Sequence, residues 1–448
     1  MSGIALVLHS RGGQVTGSDV RASRYTAALE RAGVHVAIGH QAANLGECDV
    51  VVISSAIPET NPELVEARGR EIDVWPRARM LAHLAENRRV VAVAGTHGKT
   101  TTSSMIATMI SGLGLDPTFL IGGEVTRYGT NAASGEGEHY IVEADESDGS
   151  FLFLEPDVAV ITNIEADHLD HYASLEHIEE TFGQFIGRVR PGGCVVVCAD
   201  DARSTALARS TGTGSVLTYG LAKDADVRIE SVKSSGLGHV FEVHLPDGST
   251  TTASTVIPGT HNVLNAGAAV AVAVALGIDT TQAASALSEF GGVRRRFDQV
   301  GVAGGVTVVD DYAHHPTEVK ATLAAASNLG FERVWVVFQP HRYSRTQALA
   351  DEFGSAFSDA DRVVLFDVYG AGETPIPGVT GHTIVDSVMR LCPRTRLAWL
   401  PHRADAAPFL LDRVRPGDLV LTMGAGDVTT FGPELVRALE SRADGNET

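Results

Sequence analysis

An apolar, β-branched run, Val90-Val91-Ala92-Val93-Ala94, breaks at Gly95, turns through Thr96-His97-Gly98, and resumes as Lys99-Thr100-Thr101-Thr102-Ser103-Ser104-Met105-Ile106. A strand, a tight glycine loop and a helix in that order admit few folds, and the loop reads as a phosphate cradle. Glycines let the backbone approach an anion, and the helix N-terminus directs free N–H groups at it. Lys99 adds a point charge, and the Thr100 hydroxyl is a hard ligand for Mg²⁺. The long form of this loop has a glycine five residues before Gly98, where this chain has Val93, so the loop is a shortened one. Lysine is otherwise scarce, occurring only at 99, 223, 233 and 320.

A chain of 448 residues has room for about three domains of ~150 residues. Its 44% hydrophobic and 20% charged content and its 47 glycines fit α/β architecture and argue against disorder. The net charge of −20 disfavours nucleic acid and anionic lipid, so an anionic substrate must be held by local groups. Cys48, Cys194, Cys198 and Cys392 form no pairing framework and lack zinc spacing, which points to a reducing, cytoplasmic setting. No run reaches the ~20 apolar residues of a membrane span.

Residues 1–9 read as a short helix, and 14–19 as a strand ending on an acid, the second half of a dinucleotide-type βαβ unit without its opening strand and glycine loop. A helix near 23–32, strands at 34–38 and 49–54, and helical segments through 87 complete a Rossmann-like unit over 1–87. The cradle opens a second unit, 88–292, with a mostly parallel sheet and an antiparallel insertion near 226–257. Strand–helix alternation from 293 to 448 predicts a third, Rossmann-like unit.

Chemistry concentrates where strands end. Glu143-Ala144-Asp145-Glu146 and Asn163-Ile164-Glu165-Ala166-Asp167-His168 each follow an apolar strand. In a parallel sheet those ends share an edge with the cradle, so an acid there is expected on Mg²⁺ and an imidazole is tolerated at a second metal. His261-Asn262-Val263-Leu264-Asn265 opens a helix, and Arg294-Arg295-Arg296 lies at the junction into the third unit. Asp310-Asp311-Tyr312-Ala313-His314-His315 and His341-Arg342-Tyr343-Ser344-Arg345 again follow strands, and two arginines beside a histidine suit a carboxylate.

Taken together, GTHGKTTT (95–102), EADESDGSF (143–151), NIEADHLD (163–170), HNVLNA (261–266), RRRF (294–297), DDYAHHPTE (310–318) and QPHRYSRT (339–346) resemble the Mur ligases across essentially the whole chain. The HRYSRT segment resembles the branch that adds L-alanine rather than the recycling branch that attaches a tripeptide. That resemblance implies a three-domain α/β synthetase: a UDP-substrate domain at 1–87, a P-loop ATP domain at 88–292 and an amino-acid domain at 293–448. It implies ATP-dependent joining of L-alanine to UDP-N-acetylmuramate through an acyl phosphate, for peptidoglycan precursors, by a cytoplasmic monomer or homodimer. Gly95, Thr96, His97, Gly98, Lys99, Thr100, Thr101, Asn265, Arg296 and Asp310 would meet ATP. Thr100, Glu143 and His168 would hold metal, and Lys99, Glu143, His168 and Arg296 would carry catalysis. Ser54, Ser55, His97 and Asn131 would contact the sugar nucleotide; Tyr312, His341, Arg342 and Arg345 would hold L-alanine. The family opens with a strand and a glycine-rich loop ahead of the Met1-Ser2-Gly3 segment, so the natural start is expected upstream. A remnant that binds ATP without turnover, or a kinase whose phosphate stays on its product, are the competing expectations.

Overall fold

The computed structural model describes residues 1–167 and 172–445, leaving His168 and Asp170 outside the described residues. The chain divides into two compact units, one of residues 1–232, 241–254 and 264–290, the other of 233–240, 255–263 and 291–448.

In the first unit, strands β1 (Thr16–Asp19), β2 (His35–Ile38), β3 (Val50–Ile53) and β4 (Asp73–Pro76) form two separate parallel pairs, β1–β2 and β3–β4. No described strand joins the pairs into the single sheet that the alternation implied. The helix Ser2–Ser10 buries Ile4 and Val7 with Met80, Leu81 and Leu84 of the helix Arg77–Leu84, in the same core as Val90, Ala92 and Tyr140. Strand β4 was not expected. Its Asp-Val-Trp-Pro sequence carries a proline that reads as a break, yet Pro76 ends the strand, where no further ladder N–H is needed.

Strands β5 (Arg89–Ala94), β6 (Thr118–Val125), β7 (Thr130–Ala133), β8 (His139–Glu143), β9 (Val158–Ile161), β10 (Cys194–Cys198), β11 (Ser215–Gly220), β12 (Val227–Ser235), β13 (Gly238–His244) and β14 (Thr250–Thr255) follow in the chain. They order as β14-β13-β12-β11-β10-β9-β5-β8-β6-β7. Strand β5 is therefore interior, parallel to β8 on one side and β9 on the other. Val90 to Ala94 are all buried, as a strand covered on both faces requires. Because parallel neighbours end on the same edge, the loops after β8 and β9 must flank the loop after β5. The helix that follows, Lys99–Gly112, is buried from Thr100 to Ile110.

The second unit is built on β15 (Asp298–Ala303), β16 (Val306–Asp311), β17 (Arg333–Phe338), β18 (Arg362–Leu365), β19 (Arg396–Trp399) and β20 (Asp418–Met423), in the order β15-β16-β20-β17-β18-β19. Only the β15–β16 pair is antiparallel. Alternate residues separate into two cores: Val334, Val336 and Phe338 pack with Leu419 and Leu421 on one face, Trp335 and Val337 with Val420 on the other. The strand ends after β16, β17 and β20 consequently lie together, because these three are adjacent and parallel.

Candidate active site

In the first unit the cradle is closed by its neighbours. Gly95 has φ +134° and a Cβ there would lie 2.0 Å from Thr162 Oγ1, so only glycine fits. Gly98 has φ +83°, and a Cβ there would sit 2.7 Å from Asn265 Oδ1. Asn265 Oδ1 also accepts from the Thr102 hydroxyl at 3.1 Å, which brings a residue more than 160 positions away onto the loop. The β9 loop forms the back wall: His97 N–H donates to Asn163 Oδ1 at 2.9 Å, Thr162 Oγ1 donates to the His97 carbonyl at 2.5 Å, and Glu165 N–H donates to Thr96 Oγ1 at 2.8 Å. His97 Nε2 lies 3.6 Å from Glu165 Oε2. Thr101 sits beside Thr100 in the first helical turn.

Lys99 Nζ donates to the Gly95 carbonyl at 2.6 Å, the Thr96 carbonyl at 3.1 Å and Glu146 Oε1 at 2.7 Å. Burial opposes its charge, but Glu146, with Glu143 and Asp145 behind it, outweighs burial and holds the ammonium above its usual range. Glu146 is 3% exposed. Burial, added to by Asp145 and opposed by Lys99, pushes its carboxyl up to about 7. Glu146 is the carboxylate partner of Lys99, an acid that sequence reasoning passed over in favour of Glu143. The signal was present, since a buried lysine in a loop flanked by an acidic run needs a carboxylate partner. Thr100 Oγ1 donates to Glu143 Oε1 at 3.0 Å, and Glu143 Oε2 accepts from Gly122 N–H at 2.6 Å. A hydroxyl and a carboxylate oxygen this close are a hard-oxygen pair that fits Mg²⁺. His168, expected on a second metal, lies outside the described residues.

Ser54 and Ser55 sit in the turn after β3, where the Ser54 carbonyl accepts from Ile57 N–H. The Asn131 amide donates to the Ile121 carbonyl at 3.1 Å, joining β7 to β6. None of these three makes a described contact with the cradle.

In the second unit the three arginines separate. Arg294 is exposed, while Arg295, at φ +64°, reaches Asp310 at 3.3 Å and the Gly424 carbonyl at 2.5 Å. Arg296 lies 3.6 Å from Glu318, and both Arg295 and Arg296 stand over the Tyr312 ring, at 4.7 and 5.1 Å. Asp310 also accepts from Thr422 Oγ1 at 2.7 Å and Thr429 Oγ1 at 2.6 Å, so its carboxylate ties β16 to β20. Asp311 accepts from the N–H groups of Phe297 and Ala313, and burial, opposed by Arg296, raises its carboxyl to about 6.

A line of rings continues from Tyr312 to His314 at 5.1 Å, His314 to His341 at 5.8 Å and His341 to Tyr369 at 5.7 Å. His341 Nδ1 is buried and has no hydrogen-bond partner among the described residues. Burial, then His314, Arg345, Arg342 and Arg295, lower the imidazole to about 3. It is therefore neutral at ordinary pH, with an unmet polar atom among cations, an environment that accepts an anion. Arg342 holds φ +69° and Arg345 is nearly buried.

Three domain models match in sequence: "Mur ligase family, catalytic domain" over residues 1–89, "Mur ligase middle domain" over 93–273 and "Mur ligase, glutamate ligase domain" over 295–426. The UDP-N-acetylmuramate--L-alanine ligase of Pelobacter propionicus is 47% identical, over 98% of this chain and 96% of the relative. That of Rubrobacter xylanophilus is 50% identical, over 98% and 97%. The solved UDP-N-acetylmuramate-alanine ligase of Thermotoga maritima superposes with a TM-score of 0.82 at 30% identity, covering 99% of this chain and 97% of that one. A murein peptide ligase of Psychrobacter arcticus gives 0.72 at 25% identity, covering 98% and 96%. Full-length likeness in sequence and in fold, with all three domain models in register along the chain, leads to one conclusion: this chain belongs to the Mur ligase family.

Proposed function

We propose that the chain joins L-alanine to UDP-N-acetylmuramate at the expense of ATP, as a step in making peptidoglycan precursors. The observation that supports this most is the cation-ringed, unmet His341 Nδ1, which a phosphate-cradle enzyme that only transfers phosphate does not need. An α-amino acid carboxylate between Arg342 and Arg345 answers it.

In this reading the lactyl carboxylate of UDP-N-acetylmuramate attacks the γ-phosphorus, the bond to the β-phosphate oxygen breaks, and ADP leaves. The amine of L-alanine then adds to the acyl phosphate, and the tetrahedral intermediate expels phosphate and loses a proton to give the amide. Lys99 steadies the charge on the transferring group, and the N–H groups of the loop from Gly95 to Thr101 orient the phosphates, with Asn265 fixing Gly98. Mg²⁺, held by Thr100 and Glu143, would supply further charge neutralisation. Arg296 and Asp310 are read as facing ATP, Asp310 also holding Arg295 at 3.3 Å, and Tyr312 with His341, Arg342 and Arg345 as the amino-acid site. Ser54, Ser55, His97 and Asn131 stay assigned to the sugar nucleotide. The domain assignment is 1–87 for that nucleotide, 88–292 for ATP and 293–448 for the amino acid. No helix of the described residues is long and apolar enough to cross a membrane; the reading places the chain in the cytoplasm on its diffusible substrates.

The test is phosphate release measured with each substrate omitted in turn. Release that needs ATP, UDP-N-acetylmuramate and L-alanine together supports the ligase. ATP binding without release, or a phosphorylated product that accumulates with L-alanine present, refutes it.

A further inference from the structure

The segment between β18 and the helix Gly381–Leu391 is absent from the motifs read in the sequence, yet it is fastened along the whole of His341–Ser344. Tyr369 N–H donates to the Pro340 carbonyl and Arg342 N–H donates to the Tyr369 carbonyl, both at 2.8 Å, a two-bond bridge of strand type. Glu373 takes both donors of Ser344, the N–H at 3.1 Å and the hydroxyl at 2.6 Å. Between them the chain turns through Ala371 at φ +50° and Gly372 at φ +90°. Gly370 is pressed against Tyr343, since a Cβ there would lie 3.0 Å from the ring, and Asp367 ties the segment's start to Gly381 N–H at 2.7 Å.

This fastening fixes one side chain. The Tyr369 ring lies nearly parallel to His341, at 15° and 5.7 Å between centroids. Its other border is set by Gly426, where a Cβ would come 2.8 Å from Tyr369 Cγ. Tyr369 is 39% exposed, and its ring covers the imidazole on one side and forms a wall on the other. A half-exposed aromatic on a loop has no core to serve, and here two hydrogen-bonded anchors and a glycine contact hold it in one place.

We propose that Tyr369, held by Glu373 on Ser344, is a specificity-determining residue that sets the size of the amino-acid side chain admitted beside His341. This rests on the amino-acid site proposed above and adds to it the wall that limits the substrate to a methyl-sized side chain. Discrimination between substrates that differ by one methylene runs to about 10–200-fold when a rigid wall enforces it. A wall on a mobile loop enforces less, so both the ring and its anchor matter.

The experiment compares kcat/KM for L-alanine, L-2-aminobutyrate and L-valine in the whole chain and in Tyr369→Ala, Tyr369→Phe and Glu373→Gln, with KM for ATP as a check of folding. In Tyr369→Ala the ratio of L-2-aminobutyrate to L-alanine should rise by about 10-fold or more, with KM for ATP unchanged. Tyr369→Phe should keep the original ratio, because the ring and not the hydroxyl is the wall, and Glu373→Gln should fall between the two. Equal loss for all three amino acids, or an unchanged ratio in Tyr369→Ala, overturns the proposal. Failure of the ligase reading itself shows separately, as absence of amino-acid-dependent phosphate release in the unsubstituted chain, and removes the proposal with it.

Discussion

Replacing Lys99 with methionine should destabilise the first unit in a way that depends on pH, apart from any effect on turnover. Glu146 titrates at about 7 in the folded chain against 4.5 ordinarily, a native-state penalty on its ionised form of about 3 kcal/mol. The folded value lies above the unfolded one, so between pH 4.5 and 7 the native chain binds more protons and stability falls as pH rises, then levels off. Without the Lys99 ammonium the carboxylate keeps Asp145 as a neighbour and loses its cation, so its titration moves higher still. At pH 6, where Glu146 is largely protonated with or without Lys99, the substitution removes only donors from the Gly95 and Thr96 carbonyls and from Glu146, a cost of about 1–3 kcal/mol. Above pH 7 the loss grows by up to about 1.4 kcal/mol per unit, toward the roughly 3–5 kcal/mol of a broken buried pair. Urea denaturation at pH 6, 7 and 8 measures this. The double variant Lys99→Met, Glu146→Gln should recover the pH-dependent part while leaving the remainder. A loss of equal size at all three pH values, or a double variant as pH-sensitive as the single, would show that Glu146 is not the group that responds.

Glu143→Gln weakens the oxygen pair with Thr100, and the Mg²⁺ concentration giving half-maximal phosphate release should rise at least several-fold; an unchanged Mg²⁺ curve counts against the metal assignment. Gly95→Ala forces a Cβ into Thr162 Oγ1 at a φ of +134°, so it should abolish nucleotide binding by calorimetry and lower the melting temperature. His341 is lowered to about 3 from 6.5, so the native chain binds fewer protons and its stability rises with pH between those values. His341→Gln should therefore lose less stability than the original chain on going from pH 7 to pH 5, and should raise KM for the amino acid; melting curves that shift in parallel would contradict the buried neutral imidazole.

The cradle and the loops around it were legible because each follows a fully apolar strand, and strand ends of a parallel sheet converge whatever their separation along the chain. Glu143 could be placed on that basis, as could the grouping of Asp310, Tyr312 and His341. Arg295 could not be distinguished from Arg296, since nothing local in a three-arginine run shows which one turns inward; that is decided by the φ of +64° at Arg295 and the carbonyl of Gly424, more than a hundred residues on. Tyr369 was illegible for a related reason. Its importance comes from contacts with His341 and Ser344, and Val-Tyr-Gly-Ala-Gly-Glu by itself reads as an ordinary turn. The β-strands Thr118–Val125 and Thr130–Ala133 escaped notice because glycine and small polar residues dilute their apolar period.

The paired ladders β1–β2 and β3–β4 carry a dynamic consequence. Two strands make too small a sheet to stand alone, and among the described residues the apolar cluster beneath the first pair buries Leu29, Val34 and Val36, with Ala5, Leu6 and Val15 partly buried against them. Amide protons there should exchange through local opening well before those of β5, which sits among nine other strands. A ligand seated on that part of the chain would spend some of its binding free energy on ordering, so its arrival would register as slowed exchange as well as in the rate of the reaction.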